Sequence, residues 1–196
     1  MDVETIKRLR ELTGVGITDA KQALVGSGGN FDKALAAMRK KGLTKAEKRS
    51  EHEARAGIIG SYVHDGRIGV LLEVNCETDF VARNELFTNL VKDLAMHIAA
   101  SSPEYISDDN VPKEVRKRIE TELTDKAKSE GKPVDMIAKI VEGMIKKQLA
   151  EKCLLDQPFV RNPDQTVGDY VKEHIAKLGE NIIVRRFTRM ALGEVE

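Results

Sequence analysis

The spacing of hydrophobic residues changes character twice along this chain. Near the amino terminus Ile6, Leu9 and Leu12 recur at helical intervals on one face, and Thr13-Gly14-Val15-Gly16 ends the run. Thr18 is a suitable N-cap for a second helix that carries Ala20, Ala23 and Leu24 and is closed by Gly26, Gly28 and Gly29. Asn30 can cap a third, with Phe31, Leu35 and Met38 at helical spacing, which runs into Arg39-Lys40-Lys41 and meets Gly42. Together they predict a compact three-helix module over residues 1–42. Residues 43–56 mix both charges with almost no large apolar side chain, the pattern of an exposed linker that is either irregular or helical.

Period two then takes over. Ile68, Val70, Leu72, Val74 and Cys76 alternate with more polar positions, and Asp65-Gly66 just before them is a tight-turn signal, so 57–64 is the partner strand of a hairpin. The helical period returns after Asn84, a good cap, with Leu86, Leu90, Leu94 and Ile98, and stops at Ser101-Ser102-Pro103. This helix is expected to cover one face of the sheet. Two further helix-length stretches, 112–130 and 134–153, are separated by Gly131-Lys132-Pro133, which breaks the helical path and predicts an antiparallel helical hairpin. Thr166 can cap a last helix over 167–178 ending at Gly179, and the β-branched run Ile182-Ile183-Val184 opens a returning strand. The order of elements gives an α+β fold with a mostly antiparallel sheet, its core over residues 57–196.

Composition narrows the function. The 196 residues hold 32 basic and 32 acidic side chains, so no net field draws in nucleic acid, and a protein partner suits this balance better. With 41% hydrophobic and 33% charged residues the chain has enough apolar material for a core. Met1-Asp2-Val3-Glu4 places acids where a secretion signal needs a basic start, and no stretch approaches membrane-spanning length, so the expected location is the cytoplasm. Cys76 and Cys153 lie far apart and have no second ligand at metal spacing, which fits reduced, buried thiols.

Candidate chemistry is sparse. His52, His64, His97 and His174 occur singly, with no paired-histidine helix motif. The glycines match no phosphate-binding fingerprint in a strand-to-helix setting, and neither a nucleophile elbow nor a thiol flanked by basic residues is present. A resident nucleotide, metal or cofactor is therefore not expected, and neither is covalent catalysis. The basic stretch from Arg39 to Arg55 is interrupted by Glu47, Glu51 and Glu53 and has no interleaved aromatic, so it reads as a solvated face rather than a nucleic-acid site.

One feature stands apart: Asn75-Cys76-Glu77-Thr78-Asp79-Phe80-Val81-Ala82-Arg83-Asn84 is a polar connector from strand to helix with a phenylalanine in its middle. Phe80 either folds back onto the sheet as a core residue or stands out as an aromatic anchor for a partner's pocket.

The motifs themselves resemble a known family. Leu9 to Asp19 with Ala23-Leu24 resembles the amino-terminal signature of elongation factor Ts, and Asn75 to Asn84 resembles its second signature more closely still. His97-Ile98-Ala99, Gly131-Lys132-Pro133, Gln157-Pro158-Phe159 and Gly179-Glu180-Asn181-Ile182 follow in family order, so the likeness spans nearly the whole chain. The resemblance implies a ubiquitin-associated-like first module, then a three-stranded antiparallel sheet packed with helices and a protruding helical hairpin at about 112–153. It implies a guanine nucleotide exchange factor that releases GDP from elongation factor Tu, the partner holding nucleotide and magnesium. Thr78, Asp79, Phe80 and Val81 would enter the partner near its magnesium site, and Leu178-Gly179 would press near its phosphate loop. Arg10, Ile17, Thr18 and Met38 would contact the partner from the first module, although many relatives carry two methionines where this chain has Ile17-Thr18. Short members of the family form homodimers, which implies one here. The competing expectation is a passive helical adaptor for a protein or RNA, with Phe80 in the core.

Overall fold

The computed structural model describes residues 2–13 and 15–194, the side chains at 11, 39, 41–48, 134 and 135 excepted. The chain folds as two compact units, 1–99 with 169–196, and 100–168.

The first unit opens with α1 (Val3–Thr13), α2 (Ile17–Gly26) and α3 (Phe31–Arg49). Ile6, Leu9, Ala20, Leu24, Ala34 and Met38 form one buried cluster, with Val15, Ala23, Phe31 and Leu35 packed on it. Asn30 caps α3 as expected, its Oδ1 accepting from Lys33 N at 2.9 Å. Two expectations are corrected. The N-cap of α2 is Gly16, without a side-chain bond, rather than Thr18. And α3 does not stop at Gly42 but continues to Arg49, because one interior glycine costs only about 1 kcal/mol against alanine and the Lys, Ala, Glu and Arg around it are strong helix formers.

The rest of the unit is a sheet with helices on it. Strand β1 (Ala56–His64) turns through Asp65-Gly66 into β2 (Ile68–Cys76), and β5 (Ile182–Ala191) pairs on the far side of β2, so the order is β1-β2-β5, antiparallel throughout. Asp65 and Gly66 both have positive φ, 49° and 67°, and form the centre of a tight turn that Arg67 N closes onto His64 O at 2.9 Å. The alternation in β2 holds: Val70, Leu72, Val74 and Cys76 are buried on one face, where helix α5 (Glu85–Ser101) covers them. Gly60 on β1 permits that approach, since a Cβ there would lie 2.3 Å from Cγ1 of Val91. The opposite face leaves Ile59, Val63, Leu71 and Met190 exposed.

Asn84 caps α5 through Leu86 N at 2.8 Å, but the buried stripe is Phe87, Leu90, Val91, Leu94, Ala95 and Ile98, and Leu86 is exposed. At about 100° per residue, strict four-residue spacing drifts by about 40° a step, so Leu86 and Ile98 cannot share a face. Strict three-residue spacing drifts the other way, which is why Leu12 is exposed while Ile6 and Leu9 are buried.

The second unit contains the helical hairpin, α6 (Lys113–Ser129) and α7 (Val134–Lys152), and a small ladder of β3 (Pro158–Phe159) with β4 (Asn162–Thr166) that the sequence did not foretell. Ile119 clusters with Leu149 and Cys153 at the open end, and Ala127 with Ile137 and Val141 near the turn, as antiparallel packing demands. Helix α8 (Val167–Leu178) then leads to β5. Both cysteines are free and buried, as expected.

Candidate functional site

The connector between β2 and α5 is short and heavily tied. Thr78 caps the single turn α4 (Asp79–Ala82), its Oγ1 accepting from Val81 N at 3.4 Å, and the turn closes through Ala82 N to Thr78 O at 3.2 Å and Asn84 N to Val81 O at 2.9 Å. The Cys76 thiol donates to the Thr78 carbonyl at 3.2 Å. Burial, reinforced by the Glu180 carboxylate, pushes that thiol up to about 11, so it stays protonated and holds the connector rather than reacting.

Longer-range ties come from the start of β5. Cys76 and Ile182 are cross-strand partners, so residues leaving the end of β2 face residues entering β5. The Glu180 carboxylate takes two bonds from one residue, accepting from Thr78 N at 3.0 Å and from Thr78 Oγ1 at 2.6 Å. Next to it, the Asn181 backbone N–H donates to Glu77 Oε1 at 2.6 Å. The buried Asn181 amide also donates to the carbonyl of His52, 2.7 Å away, and to that of Ser50, 3.3 Å away. The Asn181 N–H, with His52 and Arg49 adding favourable charge, holds the Glu77 carboxyl below its ordinary value.

On this support Phe80 is 83% exposed. It is not a core residue, so the expectation that it folds back onto the sheet is overturned. Ala82, two residues on, is buried, so one side of the turn faces the protein and the other presents the phenyl ring. An exposed phenylalanine forgoes the roughly 1.5–3 kcal/mol that burial contributes, and a partner that covers it recovers that energy. Asp79, beside it, is exposed and pairs with Arg83 at 3.2 Å. Val81 is half-buried against the protein.

The other expected positions fall in two places. Leu178 ends α8 and Gly179 follows with φ of 75°, a left-handed conformation that favours glycine; its N–H donates to Ile175 O at 2.9 Å. Through Glu180 and Asn181 this dipeptide is linked in sequence to the clamp on Glu77-Thr78, so the two segments adjoin. In the first module Arg10, Ile17 and Thr18 are exposed, whereas Met38 is only 6% exposed and lies in that module's core. Glu180 and Asn181, the residues that hold the connector, went unremarked in the sequence except inside a motif. The signal was there only in combination: once β2 and β5 are paired through Cys76 and Ile182, residues 77–78 must face 180–181.

Among the described residues no group of three or more His, Cys, Asp or Glu side chains could hold a metal, and no helix is long and apolar enough to cross a membrane. A groove of about 930 Å³ runs along α6 and α7, floored by Ile137, Val141 and Leu149 and rimmed by Arg116, Lys146 and Asp156.

Comparison with known proteins gives a consistent result. The family model described as elongation factor TS matches residues 42–194. Similar proteins include the elongation factor Ts of Alkaliphilus metalliredigens, 51% identical over 96% of this chain and 88% of the relative. That of Thermodesulfovibrio yellowstonii is 50% identical over 98% of this chain and 96% of the relative. That of Geobacter sulfurreducens is 50% identical over 96% and 88% respectively.

Proposed function

The chain belongs to the elongation factor Ts family, and from that membership we propose that it is a guanine nucleotide exchange factor that releases GDP from elongation factor Tu during translation elongation. The observation that carries the mechanism is Phe80, 83% exposed on a connector fixed at both ends. Thr78, Asp79, Phe80 and Val81 enter the partner, with Phe80 as the wedge and Asp79 as its polar positioner.

In a GTPase, Mg²⁺ and the amides of the phosphate loop hold the nucleotide. A side chain that displaces the elements supporting them weakens GDP without breaking a bond, so this chain needs neither a cofactor nor a catalytic group. Leu178 and Gly179 act from the phosphate-loop side, where a glycine permits close backbone approach. Pre-ordering matters here, because each immobilised rotamer-rich side chain costs roughly 0.5–1.5 kcal/mol on binding, and the clamped connector has met much of that cost in advance. Linkage requires reciprocity: a factor that lowers GDP affinity must itself be bound less tightly, by the same ratio, when GDP is present.

Residues 1–42 form the ubiquitin-associated-like module, 43–56 the charged segment after it and 57–196 the core, with Arg10, Ile17 and Thr18 meeting the partner directly and Met38 shaping the module beneath them. The protein acts in the cytoplasm as a homodimer and without direct nucleic-acid contact. The exposed sheet face bearing Ile59, Val63, Leu71 and Met190 supports the dimer, since such a face is more apolar than a monomer's surface requires.

The reading is tested by loading elongation factor Tu with a fluorescent GDP and adding this protein in catalytic amounts. Faster release of the nucleotide is expected. Unchanged release at micromolar concentration would defeat the proposal.

A further inference from the structure

We propose that Glu180 is a positioning residue for nucleotide exchange: its carboxylate sets the angle at which α4 presents Phe80 and couples that turn to Leu178-Gly179. The proposal rests on the exchange reading above.

Three observations carry it. First, Glu180 holds Thr78 by two separate donors, the backbone N–H at 3.0 Å and the hydroxyl at 2.6 Å. Two bonds from one carboxylate to one residue fix direction as well as distance, and bonds to an ionised acceptor are about twice as strong as neutral ones. Second, Thr78 is the N-cap of the turn that carries Phe80. Its Oγ1 donates to Glu180 while accepting from Val81 N, so one hydroxyl relays the position of Glu180 into the geometry of α4. Third, Glu180 directly follows Gly179, and its neighbour Asn181 ties the same connector through Glu77 at 2.6 Å. A displacement of Leu178-Gly179 against the partner is thus transmitted to Thr78 through one residue.

The carboxylate makes its bonds at the surface of the fold rather than within the sheet's core. The sheet is closed by pairing from Ile182 onward, and the bonds of Glu180 to Thr78 are on the exposed side of the connector. Removing it should loosen aim more than stability. In the full-length protein, Glu180→Ala is expected to keep its melting temperature within about 2 °C of wild type and to speed amide hydrogen exchange at residues 78–82 by about tenfold or more. Its second-order rate of GDP release from elongation factor Tu should fall by about tenfold, as both bonds to Thr78 are lost and the aim of α4 loosens. Glu180→Gln, whose amide oxygen can still accept from Thr78, should lie between the two.

The double variant Phe80→Ala/Glu180→Ala separates aiming from bulk support: it should be no slower than Phe80→Ala alone, because a clamp without its wedge has nothing to aim. Unchanged amide protection in Glu180→Ala, a release rate within twofold of wild type, or an additive loss in the double variant would each overturn the proposal. A wild-type protein that releases no GDP would instead sink the exchange reading, and the positioning role with it. Amide protection would then still report whether the clamp exists.

Discussion

Two phenylalanines seven residues apart divide the labour of this molecule. Phe87, on the first turns of α5, is 0% exposed and fills the space between helix and sheet; Phe80, on the connector before it, is 83% exposed. Their neighbourhoods differ in kind. Around Phe87 the surroundings are apolar, with Leu90, Val91 and Leu94 on the same buried stripe. Around Phe80 the ties are polar, directional and few, made by Glu180, Asn181, Asn84 and the Thr78 hydroxyl. Packing energy holds the first ring in place. Hydrogen bonds hold the backbone beneath the second and leave the ring free. The lesson is that a fold can use its hydrogen bonds to keep an apolar side chain out.

The largest effect that would test this contrast is on stability. Phe87→Ala should cost about 3–5 kcal/mol in urea unfolding, with exchange activity per folded molecule little changed. A cost below about 1 kcal/mol would erase the distinction between the two rings. Phe80→Ala is expected to leave unfolding within about 0.5 kcal/mol of wild type and to slow GDP release by about thirtyfold or more, the scale of an interface hot spot. Asp79→Ala should be milder still, a few-fold in release rate, because the residue it pairs with, Arg83, is exposed and such pairs contribute about 0–1 kcal/mol.

Acid should act on the buried layer first. His174 is buried, its Nδ1 hydrogen-bonded to the Tyr170 carbonyl at 2.8 Å, and burial lowers its pKa from the ordinary 6.5. The unfolded chain therefore binds the proton more readily. This contribution to stability is complete above pH 6.5 and is lost as pH falls below it toward the lowered value. Glu77, whose pKa is lowered chiefly by the Asn181 N–H, contributes above 4.5 and loses its share only as pH falls further. Urea midpoints at about pH 7.5 and about pH 5.5 should show the first loss, and His174→Gln should show less of it. An equal loss in the variant would remove His174 as the cause. The smallest expected change is chemical: with both thiols pushed up to about 11, mainly by burial, Cys76 and Cys153 should resist alkylation at neutral pH until the protein unfolds.

Much of the buried half was legible in the sequence, and much of the exposed half was not. The two-residue alternation from Ile68 to Cys76, the Asp65-Gly66 turn and the Gly131-Lys132-Pro133 break are local signals, and each determined an element by itself. Errors came where a local rule met geometry: three- and four-residue spacings put Leu12 and Leu86 on faces from which helical drift removes them. At Gly42 a breaker was outvoted by its neighbours. The exposure of Phe80 was left open by the residues around it, and the bond that ties its connector to Glu180 spans 102 positions in sequence. Only the pairing of β2 with β5 brings them together, and motif resemblance pointed at the segment without saying how it is held.

The most direct measurement is the rate of fluorescent GDP release from elongation factor Tu with wild-type protein and with Phe80→Ala, both at the same folded concentration. An exposed wedge predicts strong acceleration by the first and near-background release with the second, at equal thermal stability. Equal acceleration by both, or a Phe80→Ala protein that loses activity only because it unfolds, would contradict it.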